Sequence, residues 1–138
     1  MGALAEKVQH LFTTGLDRGD LVGYLEGFDP ACEVRALGHT FAGRDSFRGL
    51  LEAFLAAFGE NQHTVVHSVE NDDCVVVELT WKARHTGRLS LGDLNLESTG
   101  AVIEWTVCEW DWFAGDKIVR SHIYADQAQL AAQLGVKG

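Results

Sequence analysis

Four long segments of alternating apolar residues fill the second half of the chain, and they constrain its fold more than any other feature. In order, they are HTVVHSVE, DCVVVELTWKARH, AVIEWTVCEWDWF and KIVRSHIYA. The turn signal NDD separates the first two and AGD the last two, so the sequence predicts two β-hairpins. Between the hairpins lies the polar, glycine-rich stretch RHTGRLSLGDLNLESTG, residues 84–100.

Helical patterns occupy most of the first half. Apolar residues at helical spacing predict a helix over 3–17 with Gly15 near its end. Asp20 is predicted to cap a short second helix, LVGYLEGF, and a third helix is predicted from Asp45 or Ser46 to about Phe58. Between these helices the sequence predicts a turn at Asp29-Pro30, a strand in ACEVRAL and turns in GHTFAGRD. A last helix is predicted after Asp126, in QAQLAAQL, with Gly135 at its stop. Helices followed by a long antiparallel sheet predict an α+β architecture with the helices on one face of the sheet.

Length and charge narrow the class of protein. A chain of 138 residues is expected to form one domain, residues 1–138, with a core of its own. Its 11 Lys and Arg against 20 Asp and Glu give a net charge of -9, which argues against nucleic acid or an anionic membrane as a partner. The longest apolar run, AFLAAF, is too short to span a membrane, and the N-terminus lacks the apolar run of an export signal. Three cysteines without a CxxC spacing suggest reduced thiols, and we expect a cytoplasmic protein.

The alternation of strand residues selects candidates for the face toward the helices. On the last strand, Ser121 and Ile123 belong to the row of small or apolar side chains (Val119, Ser121, Ile123, Ala125) that should point inward. A two-residue turn in AGD would pair that row with Glu104, Thr106 and Cys108 on the preceding strand. A carboxylate on an inward row has its pKa raised by burial, toward the range useful for proton transfer. If the turn has an odd number of residues instead, Glu104 is a solvated surface residue.

The strand before residues 84–100 ends in a histidine. His85 shares the apolar row of Trp81, so it is predicted to lie inward at the mouth of a pocket. There it could move a proton, or it could simply cap the strand by hydrogen bonding. The stretch that follows it is predicted to form the rim of the pocket's open end.

Other polar residues suggest less. His63 and His67 have a four-residue spacing, but on a strand they would lie ~13 Å apart, too far to share a metal. The sequence contains no zincin, nucleophile-elbow, dinucleotide-binding or P-loop motif. We therefore expect neither a metal nor a cofactor. Cys108 could act as a nucleophile, although a buried cysteine is usually inert.

The order of several short motifs resembles the nuclear-transport-factor-2-like superfamily, and within it the SnoaL-like polyketide cyclase group. The motifs are GRD at 43–45, HTG at 85–87 with TG at 99–100, GDKI at 115–118, YAD at 124–126 and QLG at 133–135. The resemblance covers nearly the whole chain. It implies a cone-shaped α+β barrel, in which helices pack on a strongly curved, mostly antiparallel sheet and enclose an apolar pocket.

The resemblance also implies where acidic residues would act, and here the sequence departs from the family. The acidic position of the last strand in SnoaL-like cyclases and epoxide hydrolases falls on Ile123. The general base of ketosteroid isomerases falls on Arg35, and their oxyanion-binding acid falls near Cys108. Neither mechanism can therefore be transferred unchanged.

These considerations predict an enzyme of polyketide-type secondary metabolism, such as antibiotic biosynthesis, that folds an apolar substrate and promotes ring closure or isomerisation. A non-catalytic binding or scaffold protein is the alternative, and an epoxide-opening hydrolase a weaker one. The predicted catalytic residues are Glu104, His85 and Arg35. The predicted substrate-binding residues are Tyr24, Glu33, His39, Trp81, Thr106, Cys108, Ser121 and Ile123. Because Trp105 with Ile103 and Val107 would fall on the outward row, a homodimer through the outer sheet face is expected.

Overall fold

The computed structural model describes residues 1–136 as four helices and eight strands. The helices are α1 (Ala3–Thr14), α2 (Leu21–Leu25), α3 (Arg44–Ala57) and α4 (Gln127–Gln133), with a short 3₁₀ turn at Leu16–Arg18. The strands are β1 (Phe28–Ala36), β2 (His39–Ala42), β3 (Phe58–Glu70), β4 (Cys74–His85), β5 (Leu89–Leu91), β6 (Leu94–Leu96), β7 (Val102–Ala114) and β8 (Lys117–Ala125). The predicted α+β class is confirmed.

Six of these strands form one curved, open sheet in the order β2-β1-β8-β7-β4-β3. Neighbouring strands are antiparallel except for β1 and β8, which run parallel. The sheet does not close, because β2 and β3 remain its two edges. We call the face toward the helices the inner face. It carries the apolar core, and the opposite face is the outer face.

Side chains of α1 cover the edge strand β3. The Gln9 amide donates to the carbonyl of His63 at 2.8 Å and accepts from the backbone N–H of Val65 at 2.7 Å. At the other end of β3, the Glu70 carboxylate accepts from the first backbone N–H groups of α1. An edge strand otherwise exposes unpaired backbone groups, so these contacts both protect the edge and fix α1 on the sheet.

The β7–β8 hairpin determines which residues reach the inner face. Its turn has two residues, as predicted, because Ala114 pairs with Lys117. Beyond the turn the register shifts: Phe113 pairs with Ile118, but Trp112 pairs with Arg120, which leaves Val119 as an extra residue. Because of this β-bulge, the later residues of β8 pair with the other row of β7 from the one that a regular hairpin would give them.

Because of the bulge, the row of β7 that faces inward is not the predicted one. Ile103, Trp105, Val107, Glu109 and Asp111 are buried, whereas Glu104 and Thr106 are exposed and Cys108 is half-buried on the outer row. The prediction that Glu104, Thr106 and Cys108 face inward was wrong, and so was the outward placement of Trp105. The rows of β8 were predicted correctly at Ser121, Ile123 and Ala125, since the bulge lies before them.

Residues 84–100 contain secondary structure that the sequence pattern did not predict. β5 and β6 form a separate two-stranded hairpin, with Leu89 opposite Leu96 and Leu91 opposite Leu94. Gly92, at φ 54°, provides the left-handed residue of its turn. Two further differences concern β1 and β2. The predicted turn at Asp29-Pro30 lies inside β1, and the turn-rich segment after it includes β2. Among residues 1–136, no helix has both the length and the apolar character needed to cross a membrane.

Candidate active site

An apolar cavity of about 120 Å³ lies between α1, α2 and α3 and the inner face of the sheet. Aromatic and aliphatic side chains form most of its wall, including Phe12, Phe47, Phe54, Trp81, Trp105 and Ile123. Four polar side chains also line it: Tyr24, Asn61, His63 and Glu109. A few polar groups in an apolar enclosure are typical of small-molecule sites.

His63 and Asp17 form a hydrogen-bonded pair at the wall of this cavity. His63 Nδ1 lies 2.6 Å from Asp17 Oδ1, and the backbone N–H of His63 donates to Asp17 Oδ2 at 3.0 Å. A carboxylate oxygen so close to Nδ1 requires that nitrogen to donate, which leaves Nε2 as the nitrogen able to accept a proton. The ring is held flat by stacking on Phe12, with centroids 4.4 Å apart. The pair therefore has the arrangement of an oriented general base.

Glu109 brings a buried carboxyl group to the same cavity. Its side chain is 4% exposed, and Asp111, the next residue of the inner row, is fully buried. Burial, reinforced by the negative charge of Asp111, raises the pKa of Glu109 well above its usual range. Burial also raises the pKa of Asp111, against the opposing effect of the Glu109 carboxyl and the Ser121 hydroxyl beside it. Burial and the neighbouring Asp111 thus favour the protonated form of Glu109, which can donate a hydrogen bond or a proton.

The Tyr24 hydroxyl belongs to the same electrostatic group. Burial, and then the charges of Glu109 and Asp111, raise the pKa of Tyr24 well above its usual value. The phenol therefore stays protonated and can act as a second hydrogen-bond donor. Tyr24 is predicted from the sequence to bind substrate, and it does line the cavity.

Two tryptophan side chains in the cavity wall are fixed by hydrogen bonds. Trp81 Nε1 donates to Asn61 Oδ1 at 2.8 Å, and Asn61 in turn donates to the carbonyl of Phe58. Trp105 Nε1 donates to the carbonyl of Asp126 at 2.7 Å. Both indole N–H groups are thus used within the protein, and these side chains offer a bound molecule their apolar surfaces.

Several residues predicted for the site lie elsewhere. Arg35 is exposed on the outer face, where its Nε lies 3.4 Å from Glu33 Oε1, and His39 is exposed on β2. Arg35, Glu33 and His39 were predicted as site residues and would have to face inward, but the alternation of β1 buries Cys32, Val34 and Ala36 instead. Glu104 is also outside: its backbone N–H donates to Gln133 Oε1, and its carbonyl accepts from Gln133 Nε2.

Other predicted residues are inside the protein. Trp81 and Ile123 line the cavity, and Ser121 is buried opposite Asp111 on the adjacent strand. His85 is fully buried, as its row predicts, but it is absent from the described lining of the cavity. Its Nδ1 accepts from the backbone N–H of Thr99 at 3.2 Å and lies 2.9 Å from the Thr99 hydroxyl. With its backbone hydrogen bonds to Ser98, Gly100 and Ala101, His85 therefore ties residues 98–101 to the end of β4.

Sequence reasoning missed His63, Asp17, Glu109 and Asp111. Asp17 and His63 are 46 residues apart and meet because α1 packs along β3. His63 was considered only with His67, which is exposed on the same strand. The signal for Glu109 and Asp111 was present, since both share the alternation of Ile103, Trp105 and Val107, but the bulge at Val119 was needed to assign that row inward.

Solved structures of known proteins show the same fold. AclR from Streptomyces galilaeus, a proposed hydroxylase, is 22% identical, with 96% of this chain and 98% of that chain covered and a TM-score of 0.78. IdmH from Streptomyces antibioticus, a proposed polyketide cyclase, is 21% identical over 98% of this chain and 100% of that chain, with a TM-score of 0.77. A proposed SnoaL-like polyketide cyclase from Jannaschia is 14% identical over 97% and 92% of the two chains, with a TM-score of 0.81. Among curated proteins, none matches the sequence significantly.

The curved open sheet with helices on its inner face is the nuclear-transport-factor-2-like fold. The family model for SnoaL-like polyketide cyclases matches residues 6–134, nearly the whole chain. The chain belongs to that family.

Proposed function

We propose that the protein is an enzyme that removes a proton from carbon next to a carbonyl group in an apolar, polyketide-like substrate and thereby promotes ring closure. The main support for the proposal is that one cavity is lined by both a proton acceptor and a proton donor. His63, oriented by Asp17, can accept a proton, and the buried carboxyl of Glu109 can donate one.

In the proposed reaction, the proton that His63 removes is returned to the product in the last step. His63 Nε2 takes the proton of an activated C–H bond, and the carbonyl oxygen gains electron density as an enol or enolate forms. Glu109, with Tyr24 as a second donor, stabilises that oxygen by hydrogen bonding. The enol carbon then attacks a second carbonyl of the same molecule, forming the ring C–C bond. The resulting alkoxide takes up a proton from the His63 imidazolium, which restores the base.

The cavity wall contributes by restricting the substrate. A flexible chain with several carbonyl groups has many conformations, and ring closure requires one of them. Fixed aromatic side chains such as Trp81 and Trp105 exclude many of the others, which lowers the entropic part of the barrier. The acid position of the family falls on Ile123, so this proposal assigns the proton transfers to different residues.

A hydrogen exchange experiment tests the proposal. 2-Tetralone, an apolar ketone with acidic α hydrogens, is incubated with the protein in D₂O, and exchange is followed by proton NMR. We expect acceleration by the wild type and a loss of about 10²-fold or more in His63→Gln. His67→Gln, on the exposed side of the same strand, is the matched control and should behave as wild type. Exchange at the uncatalysed rate in the wild type, despite binding, would favour the non-catalytic alternative.

A further inference from the structure

A second cavity of about 310 Å³ lies beside the first. The two share Leu37, Phe54 and Trp105, so these three side chains form a common wall. The rest of the second cavity lies between the β5–β6 hairpin and the C-terminal helix α4. Those lining residues are Leu89, Leu91, Leu94, Leu96, Gln127, Ala128, Leu130, Ala131, Leu134 and Val136.

The β5–β6 hairpin presents one apolar face to this cavity. Leucines at 89, 91, 94 and 96 are cross-strand partners, and all four line the cavity. The alternate residues Ser90 and Asn95 are exposed. A hairpin of two three-residue strands has little stability alone. β5 contacts α3, and Leu89, Leu91 and Leu96 pack against the core, whereas Leu94 is 39% exposed.

Helix α4 forms the opposite wall and is anchored to β7. Gln133 and Glu104 exchange two hydrogen bonds, of 2.8 and 2.9 Å, through the Glu104 backbone. Asp126 caps the first turn of α4, and its carbonyl accepts from the Trp105 indole. Both sides of the cavity are therefore attached to the protein, and the space between them is part of the fold.

The side chains that line the second cavity are nearly all apolar, so the cavity is suited to an apolar group. Among residues 1–136, Gln127 is the one polar side chain that lines the second cavity, and no charged side chain does. The first cavity contains the polar groups but, at about 120 Å³, is smaller than pockets that enclose drug-sized molecules, which are roughly 300–1,000 Å³.

We propose that the second cavity is a subsite for the apolar, unreactive tail of the molecule whose carbonyl head occupies the first cavity. The proposed ligand is an elongated ketone whose alkyl or aryl tail extends past Leu37, Phe54 and Trp105 into the second cavity. This inference rests on the proposed function for the position of the head, and it adds the class of substrate.

Binding of a homologous series tests the subsite. Alkyl phenyl ketones from acetophenone to decanophenone are titrated into the full chain by isothermal calorimetry. We expect the dissociation constant to fall by about fourfold for each added methylene, because each buries apolar area, and to level off once the cavity is filled. A dissociation constant independent of chain length in the wild type would overturn the proposal.

Two neighbouring alanines of α4 provide matched variants. Ala131 lines the second cavity, and Ala132 is exposed on the same helix. Ala131→Phe should abolish the gain from chain length while leaving acetophenone binding unchanged, and Ala132→Phe should preserve the whole series. If Ala131→Phe unfolds, Leu91→Trp fills the same cavity from the hairpin side. Equal weakening of short and long ketones by the filling variant would contradict a separate tail subsite.

The two proposals fail in different ways. Chain-length-dependent binding without accelerated exchange of 2-tetralone keeps the tail subsite and removes the proton-transfer function. Accelerated exchange together with dissociation constants that do not vary with chain length would keep the proton-transfer function and remove the tail subsite. His63→Gln is expected to change the affinity for every ketone by a similar factor and to keep the gain per methylene, because His63 lines the first cavity and not the second.

Discussion

Glu109 lies directly opposite Ile123 on the adjacent strands β7 and β8. Ile123 is the position at which the family resemblance implies an acidic residue. The carboxyl group of this protein therefore enters the cavity one strand away from that position, on the same inner face. The proposed base, His63 on β3, lines the same cavity and is hydrogen-bonded to Asp17 in the 3₁₀ turn after α1.

The first prediction concerns the dependence of His63 on Asp17. Asp17→Asn replaces the acceptor of the His63 Nδ1–H with an amide, so the ring loses the partner that fixes its tautomer. We expect exchange of 2-tetralone to slow by about tenfold to 10²-fold. In a double-mutant cycle, Asp17→Asn should add little to His63→Gln, because the two residues act as one unit. Fully additive losses would show that Asp17 acts independently of His63.

The second prediction is a pH dependence of stability. The unfolded chain releases the Glu109 proton at an ordinary carboxyl pKa, whereas the folded protein retains it to higher pH. Between those two pKa values the unfolded state binds fewer protons, so the free energy of unfolding falls as the pH rises, by about 1.4 kcal/mol per pH unit for one proton. The stability of Glu109→Gln relative to wild type should consequently be greater at pH 8 than at pH 5, measured by urea unfolding.

Glu104→Gln is the control for that measurement, because it makes the same chemical change at an exposed position of the same strand. Its stability relative to wild type should not vary with pH in this range. Equal pH dependence in the two variants would place the titration elsewhere in the protein.

The third prediction separates structural from catalytic roles for His85. His85→Ala removes a fully buried ring and its contacts with Thr99, which should cost about 2–4 kcal/mol of unfolding free energy. Exchange activity per folded molecule should stay within about threefold of wild type, because His85 does not belong to the proton-transfer group. Thr86→Ala, at an exposed neighbouring position, should change neither quantity. A loss of 10²-fold in activity with retained stability would reinstate His85 as a catalytic residue.

The fourth prediction concerns the homodimer expected from the sequence. The side chains on which that expectation was based, Ile103, Trp105 and Val107, are buried on the inner face, but other apolar side chains lie on the outer face. Trp110 is 40% exposed on the outer face, in a row with Val69, Val76 and His122 across four strands. A glutamate at the centre of an apolar interface would be buried without a partner, so Trp110→Glu should raise the dimer dissociation constant by tenfold or more in sedimentation experiments. Val22→Glu, an exposed change on α2, should leave association unchanged. A wild-type protein that is monomeric at all concentrations would refute the dimer.

Regular patterns in the sequence were sufficient to predict much of the fold. The alternation in β7 and β8 predicts long paired strands, and helical spacing around Val8 and Phe47 predicts the helices that cover them. Ser121 and Ile123 were assigned to the correct face because each strand keeps its own period. The relation between two strands depends on their register, and the extra residue at Val119 does not appear in either pattern.

The candidate site was harder to predict because it depends on contacts distant in sequence. The proposed role of His63 depends on its contact with Asp17, which lies in the turn after α1, and the sequence contains no local sign of that contact. Arg35 was placed inward by alignment to relatives, whereas the burial of Val34 and Ala36 beside it requires the opposite. Tyr24 and Trp81 line the cavity as expected, since large aromatic side chains near a core are usually buried in it.

The single extra residue at Val119 makes the register of one hairpin a determinant of the cavity's chemistry. If Val119 paired with Trp112 instead of forming the bulge, the inner row of β8 would pair with the row of Thr106, Cys108 and Trp110, because a shift of one position exchanges the two faces of a strand. The chain thus carries two alternative sets of side chains for one enclosure. Deletion of Val119 would keep the observed set, because Arg120 would then follow Ile118 directly and still pair with Trp112.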